Sequence, residues 1–383
     1  MEIELYNRDN IDLLKWPDDK DGQFAKSYIY PMVKKGPIEF IDNTDAEMQV
    51  LVFAGNIFPL ILGNPQQKFK NSYVCSPTAH YIDYGREEIN IELKDKPFLR
   101  KASHMLINGL ESFVTKLGFE KVLYVNNWLL STNLYTKFDI NLLTEVRDFL
   151  VEKFPDYPII FRSINEIYNA DIYKKLDELN FHHVFRRQVY ILETLKGEYK
   201  KKESYQKDLK AKRKSKYYWE DADKIKPENI PRMRWLYDAL YIEKYSELNP
   251  TFNEKFLELT MNVEGFTYKV LKKDDEIYAV FGYFERDGFI TAPLFGYDTS
   301  LPSSEGLYKL TALKILEDAI AKGWIVHMSS GVSKFKMHRG AEPSTEYNMV
   351  YYAHLPKSRR IPWKMMELLT DKAIVPVMKK YGL

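Results

Sequence analysis

Residues 266–299 read FTYKVLKKDDEIYAVFGYFERDGFITAPLFGYDT. Three runs of β-branched and aromatic residues are separated by two turn clusters, KKDDE and ERDG, so the stretch predicts a three-stranded antiparallel meander. Residues 300–323, SLPSSEGLYKLTALKILEDAIAKG, then predict a loop and a helix. Ser303 or Ser304 can cap that helix. Leu307, Leu310, Leu313, Ile315, Leu316 and Ile320 supply its apolar face, and Gly323 ends it. Beyond it, WIVHMSS (324–330) reads as a strand, SKFKMHRG (333–340) as a short turn of helix and TEYNMVYYAHL (345–355) as another strand. A closing helix is expected around PWKMMELLTDKAIVPVMKKYG (362–382). Before the meander, residues 231–261 read as two helices parted at Asn249 and Pro250, because proline cannot continue the first.

The first half repeats this order with weaker signals. Its first 40 residues have no clear period; WPDDKDG (16–22) reads as a turn cluster and KKGPIEF (34–40) as the lead-in to a strand. MQVLVF (48–53), IFPLIL (57–62) and NSYVCS (71–76) predict a second antiparallel meander, with GN and GNPQQ as turns. Residues 97–118 predict an amphipathic helix with Leu99, Met105, Leu106, Leu110, Phe113, Val114 and Leu117 on its buried face and Gly118 as its stop. VLYVNNWLL (122–130) and YPIIFRSI (157–164) read as buried strands around the helical INLLTEVRDFLVEKF (140–154). NADIYKKLDELNF (169–181) reads as a final helix leading into the strand HVFRRQVYILE (183–193).

Length and composition set bounds on this pattern. A chain of 383 residues exceeds the size at which one core stops growing, so two domains are expected, 1–198 and 199–383. Apolar residues at 45% and charged residues at 29% exclude global disorder. Cys75 is the single cysteine, which rules out an intramolecular disulfide and fits a reducing, cytoplasmic setting. The opening MEIELYNRDNIDLLKW has no apolar core of a secretory signal, and the most apolar stretch, 49–63, is broken by Gly55, Asn56 and Pro59. No membrane span is expected.

The formal charge of +2 gives the whole molecule no polyanion-binding field. One segment differs: residues 200–216, KKKESYQKDLKAKRKSK, carry nine basic and two acidic residues, a net of +7. The ordinary fate of such a run is a solvated linker helix; the alternative is a lip that attracts a phosphate-rich donor, coenzyme A or tRNA.

The order of elements in both halves resembles the GNAT acyltransferase superfamily. The resemblance implies an α+β fold of two tandem GNAT-like domains, each a mixed, mostly antiparallel sheet flanked by helices, the first degenerate. It implies a sheet that splays between its fourth and fifth strands to admit a pantetheine arm, with the donor's pyrophosphate at the loop opening the next helix. Unpaired N–H groups and the positive end of a helix favour phosphate oxygens there. The corresponding loop is Leu301–Tyr308, which departs from the usual pattern except at Gly306. A more specific likeness is to the FemAB-like branch, on MSSGVSKFKMHRGAEPSTEYNMVYY (328–352), where Gly331, Phe335, Lys336 and Gly340 follow its fingerprint. With the basic helix KDLKAKRKSK (207–216), the likeness covers residues 200–365.

The implied activity is N-acyl transfer from an acyl thioester, acyl-coenzyme A, to a small-molecule or peptide amine. The alternatives are aminoacyl transfer from tRNA and a GNAT-fold binding module without chemistry. Aminolysis needs a neutral amine, so a base or water chain must collect a proton. Asp298 is the first candidate base, with Tyr297 or Tyr308 as acid for the leaving group and Glu305 as second base; His338 can shuttle a proton. Ser303, Ser304, Gly306 and Leu307 are the expected phosphate loop, and Ser329 and Ser330 can bind the pantetheine or acceptor. Lys336 and Arg339, close on one helical turn, can hold an acidic group together. Each also has an ordinary structural reading: turn residue for Asp298, local backbone partners for the serines, surface cations for Lys336 and Arg339. His80, His104, His182 and His183 lack partners at metal spacing, so no metal is assigned. Tyr173 matches a general acid found in some members of the superfamily, without a phosphate loop before it.

Overall fold

The structure, a computed structural model, describes residues 3–66, 69–92, 94–221 and 224–374. The first half runs β1 (Ile3–Tyr6), α1 (Lys20–Lys35), β2 (Ala46–Phe53), β3 (Asn56–Gly63), α2 (Tyr84–Glu92), α3 (Pro97–Lys116), β4 (Leu123–Val125), α4 (Leu143–Lys153), β5 (Ile159–Asn165), α5 (Ala170–Glu178) and β6 (His182–Glu193). The second runs α6 (Glu203–Lys214), β7 (Tyr218–Asp221), α7 (Ile230–Leu240), α8 (Glu254–Met261), β8 (Phe266–Lys273), β9 (Glu276–Arg286), β10 (Phe289–Tyr297), α9 (Leu307–Lys322), β11 (Ile325–His327), α10 (Ser333–Met337), β12 (Glu342–Tyr351) and α11 (Lys357–Leu369).

The expected meander forms because its turns have the chemistry of two-residue hairpins. Asp274 and Asp275, and likewise Asp287 and Gly288, all adopt positive φ, the type I′ geometry that matches strand twist. Ala54 and Gly55 do the same between β2 and β3. Gly323 closes α9 at φ 68° and Gly118 follows α3 at φ 71°, as their positions predict.

Instead of two separate sheets, the strands form one 12-stranded sheet in the order β1-β2-β3-β4-β5-β12-β6-β11-β10-β9-β8-β7. The halves exchange their last strands. β12 lies between β5 and β6, with Glu342 opposite Ile191 and Val350 opposite His182, while β6 pairs on its other edge with β11 through His327 and Ile191. Exchange covers the inner sheet edges that each half alone would leave unpaired.

The two faces of this sheet are covered differently. On one, a single core joins both halves: Val50, Ile61 and Ile160 of the first pack in the same cluster as Tyr268, Val280 and Phe284 of the second. Helix α1 is its keystone. Phe24 lies 5.2 Å from Trp128 and 6.0 Å from Phe284, ring centre to ring centre, and Tyr28 donates to the Trp128 carbonyl at 2.8 Å. On the opposite face each half keeps its own core, Leu51, Phe161 and Leu176 under α4 and α5, and Phe281, Ile290 and Ile315 under α9.

Several expectations are corrected. WPDDKDG contains the N-cap of α1, where the Asp19 side chain accepts from the Gly22 N–H, and KKGPIEF is that helix's end and a 3₁₀ turn. NSYVCS is a buried turn, so the third strand beside β2 and β3 is β4. The strands expected at 122–130 and 324–330 are three residues long, ending at Val125 and His327. Neither Ser303 nor Ser304 caps α9; both sit in a 3₁₀ turn and Gly306 occupies the N-cap. In α3 only one edge of the expected face is covered. Val114 is buried and Leu110 packs against the core, but Leu99, Met105, Leu106 and Phe113 are exposed. Period alone cannot say which stripe meets water. The end of the closing helix, from residue 375, lies outside the described residues.

Candidate functional site

In each half one pair of parallel strands parts after three residue pairs. In the second half, β10 and β11 pair from Phe289/Ile325 to Thr291/His327, and β10 then continues to Tyr297 without β11. The chain after His327 stays with β6, because the Met328 N–H donates to the Tyr190 carbonyl at 2.9 Å and the Tyr190 N–H to the Ser329 carbonyl at 3.2 Å. A gap therefore opens along β10. In the first half β4 and β5 part in the same way after Val125 and Phe161.

Aromatic side chains gather at the β10–β11 gap. Tyr308 packs 5.3 Å from Phe295, 5.9 Å from Tyr297 and 4.6 Å from Phe335, and burial pushes its hydroxyl pKa well up. Tyr297 accepts from Lys244 Nζ at 3.2 Å. Gly306, at φ 71°, faces open space at the start of α9, with buried Leu307 behind it and exposed Ser303 and Ser304 before it. Glu305 is turned toward Tyr217, whose hydroxyl donates to it at 2.7 Å.

Lys336 and Arg339 do not act as a pair. Lys336 is buried, and its Nζ donates to the carbonyls of Met328, Ser329 and Ser330 at 2.6, 3.2 and 2.7 Å. Burial, reinforced by Arg187, lowers its pKa to about 7. This lysine holds the departing chain, including Ser329 at its left-handed φ of 58°, against the gap. Arg339 makes a two-pronged ion pair with Asp208 at 2.6 and 2.9 Å and lies over the Phe335 ring. It fastens α6 to α10, which leaves no free fork for a ligand and makes the basic segment a packed helix instead of a solvated linker. His338, next to it, is exposed.

Asp298 is likewise committed. It accepts from Arg232 at 2.7 Å and from the Ser300 hydroxyl and N–H at 2.5 and 3.1 Å. Although burial opposes ionisation, the Ser300 and Arg232 bonds leave its carboxyl below the ordinary range. That is the arrangement of an ionised turn anchor, a weak proton acceptor.

At the centre lies a network that the sequence reading did not single out. Glu346 of β12 accepts from Arg186 at 2.5 Å and Arg187 at 2.7 Å, both on β6, and meets His327 Nε2 at 2.9 Å. His327 Nδ1 accepts the Ser329 N–H at 3.2 Å, so Nε2 carries the proton and the ring is neutral, in accord with a pKa lowered by burial. Burial opposes the Glu346 charge, but the two arginines and His327 outweigh it and hold the carboxyl well below its usual range. Arg187 also donates to Ser329 Oγ and Thr132 Oγ1, each at 2.8 Å, linking the network to the gap. Glu346 and His327 border a cavity of about 200 Å³ where β4 and β5 part, lined also by Asn133, Ser163, Asn165 and Tyr168. Charged residues inside the apolar strands HVFRRQVYILE and TEYNMVYY were the available signal. In the same half, Tyr173 is half-buried with its hydroxyl 3.2 Å from His183 Nδ1.

No family model matches the sequence, and no curated protein matches it. Among solved structures, FemX is 8% identical with a TM-score of 0.53, covering 96% of this chain and 100% of its own. A tandem GNAT protein from the clavulanic acid biosynthesis pathway is 9% identical, TM-score 0.39, over 93% and 100% of the two chains. A conserved protein of unknown function from Bacteroides thetaiotaomicron is 10% identical, TM-score 0.47, over 90% and 95%. The chain thus has an α+β fold similar to that of FemX over 96% of its length. At these identities the likeness is one of fold. Among the described residues no helix is long and apolar enough to cross a membrane.

Proposed function

We propose that the protein is an N-acyltransferase. An acyl thioester such as acyl-coenzyme A enters the β10–β11 gap with its phosphates near Gly306, and a small-molecule or peptide amine approaches from the cavity beside His327 and Glu346. The carrying observation is the parting of β10 from β11 at Thr291 and His327, with Lys336 holding the far lip by three carbonyls. An extended arm lying against β10 would present its carbonyl to strand-edge N–H groups, which stabilise the oxyanion formed as the amine adds. Collapse of that adduct breaks the C–S bond; Tyr308 would protonate the leaving thiolate, and the proton lost by the added amine returns through water to the Tyr308 phenolate, leaving the amide and the free thiol. Both nitrogens of His327 are engaged, so its part is to fix Ser329 and Glu346. The halves are read as a duplicated unit joined near residue 198, the first supplying the acceptor wall.

The test is turnover of acetyl and longer acyl thioesters against an amine panel, followed by mass spectrometry of the products. Tyr308→Phe should lower kcat about 10²-fold with unchanged stability. No product from any thioester would reject this donor.

A second reading, with aminoacyl-tRNA as donor, is favoured by α6. The Asp208–Arg339 pair pins this helix beside α10, and Lys207, Lys210, Arg213 and Lys214 are exposed along it. Binding of charged tRNA that falls steeply between low and physiological salt would support it; salt-insensitive binding or none would remove it.

A further inference from the structure

Helix α3 presents an apolar stripe to solvent. Phe98 is 82% exposed, Leu106 75%, Met105 68%, Leu99 51% and Phe113 42%. At 100° per residue these five side chains fall within about a third of the helix circumference. The adjoining part of the surface holds Ile107, Leu110 and Val114, which pack on the core, so the helix has one broad apolar face of which only an edge is covered. Surface apolar residues scattered singly need no explanation, but a contiguous stripe on one 20-residue helix marks a contact surface.

The charges around the stripe identify what covers it. From Lys94 to Lys116 the segment carries five basic residues, Lys94, Lys96, Arg100, Lys101 and Lys116, against two acidic ones, Asp95 and Glu111. Glu111 is already paired with Arg86. Lys94, Lys96 and Lys101 are exposed near one end of the helix and Lys116 at the other, and none has a carboxylate partner among the described residues. Long lysine side chains at the ends of an apolar stripe can lay their stems along it and extend their ammonium groups to anionic headgroups. A second copy of this helix docking on the stripe would bring like charges together.

We propose that α3 is an interfacial helix that docks the protein on an anionic phospholipid surface, Phe98, Leu106 and Met105 entering the acyl boundary while the lysines meet the headgroups. Such a helix lies in the plane of the interface, and its affinity adds apolar burial to electrostatic attraction.

The experiment is co-sedimentation of the full chain with vesicles of phosphatidylcholine alone or mixed with phosphatidylglycerol, alongside sedimentation equilibrium without lipid. The expected result is a monomer that binds only the mixed vesicles, with binding weakened by added salt. Phe98→Ser/Leu106→Ser should lower the partition coefficient at least about tenfold, because two large apolar side chains no longer leave water. Lys96→Glu/Lys101→Glu should weaken binding to the mixed vesicles; all four positions are exposed, so the thermal midpoint should not move. No binding to the mixed vesicles overturns the proposal. So does binding indifferent to Phe98→Ser/Leu106→Ser, or a lipid-free dimer that those substitutions dissociate.

Discussion

His327 Nε2 and Glu346 Oε1 lie 2.9 Å apart although their strands are not neighbours: β6 runs between β11 and β12, and the two side chains meet across it. The contact closes over Arg187, the β6 residue opposite Glu346, which bonds to the same carboxylate. Three strands from both halves therefore share one buried anion. Glu346→Gln keeps the shape but removes the charge that neutralises Arg186 and Arg187. A loss of about 3–5 kcal/mol is expected in urea denaturation near neutral pH. The folded carboxyl is depressed, so its stabilisation is complete above the unfolded value of about 4.3 and is lost as pH falls below that. Wild type should lose stability faster on acidification than Glu346→Gln.

Lys336→Met should cost about 1–3 kcal/mol, because three carbonyls at the gap lose their donor. Its pH signature has the same sense as that of Glu346 but falls at higher pH, because both groups titrate lower in the folded chain than in the unfolded one. The folded lysine gives up its proton above about 7, while the unfolded chain retains it to about 10.4. The unfolded state then binds more protons, so wild-type stability should rise with pH between these values relative to Lys336→Met. Paired denaturation curves at pH 7 and 9.5 measure the difference.

Breaking the Asp208–Arg339 pair from one side strands a buried charge. Arg339→Met alone should cost about 3–5 kcal/mol, whereas Asp208→Leu/Arg339→Met should recover most of that, since a buried ion pair and an apolar replacement are often equivalent. A double-mutant cycle by chemical denaturation checks both figures.

Gly296 lets α7 rest directly on β10. A Cβ there would lie 2.4 Å from the backbone carbon and oxygen of Leu236, which cannot rotate away. Gly296→Ala should destabilise by at least about 1–3 kcal/mol and lower the thermal midpoint.

Much of this fold is written locally. The strand runs of 266–299 with their Asp-Asp and Asp-Gly turns, the apolar face of α9 and the stop at Gly323 follow from period and backbone preference, which neighbouring residues alone decide. The same holds for the likeness carried by Gly331, Phe335, Lys336 and Gly340. Helix α1 was legible in principle, with Asp19 as its cap and Phe24, Tyr28 and Met32 at helical spacing, but Pro31 inside it obscured the pattern.

Other features depend on contacts between distant residues. That Lys336 is spent on its own loop, Arg339 on Asp208 and Asp298 on Arg232 depends on partners up to 131 residues away. The exchange of β6 and β12, and the placing of Glu346 beside Arg186 across 160 residues, depend on which sheet edge each strand finds free. From α7 to α11 sequence alone determined the strand and helix types and their order, because φ/ψ preference and apolar period act within a few residues. Only the tertiary structure decided that two expected sheets become one, and that the stripe of α3 faces water. A periodic pattern defines a face, whereas long-range pairing and packing select what that face meets.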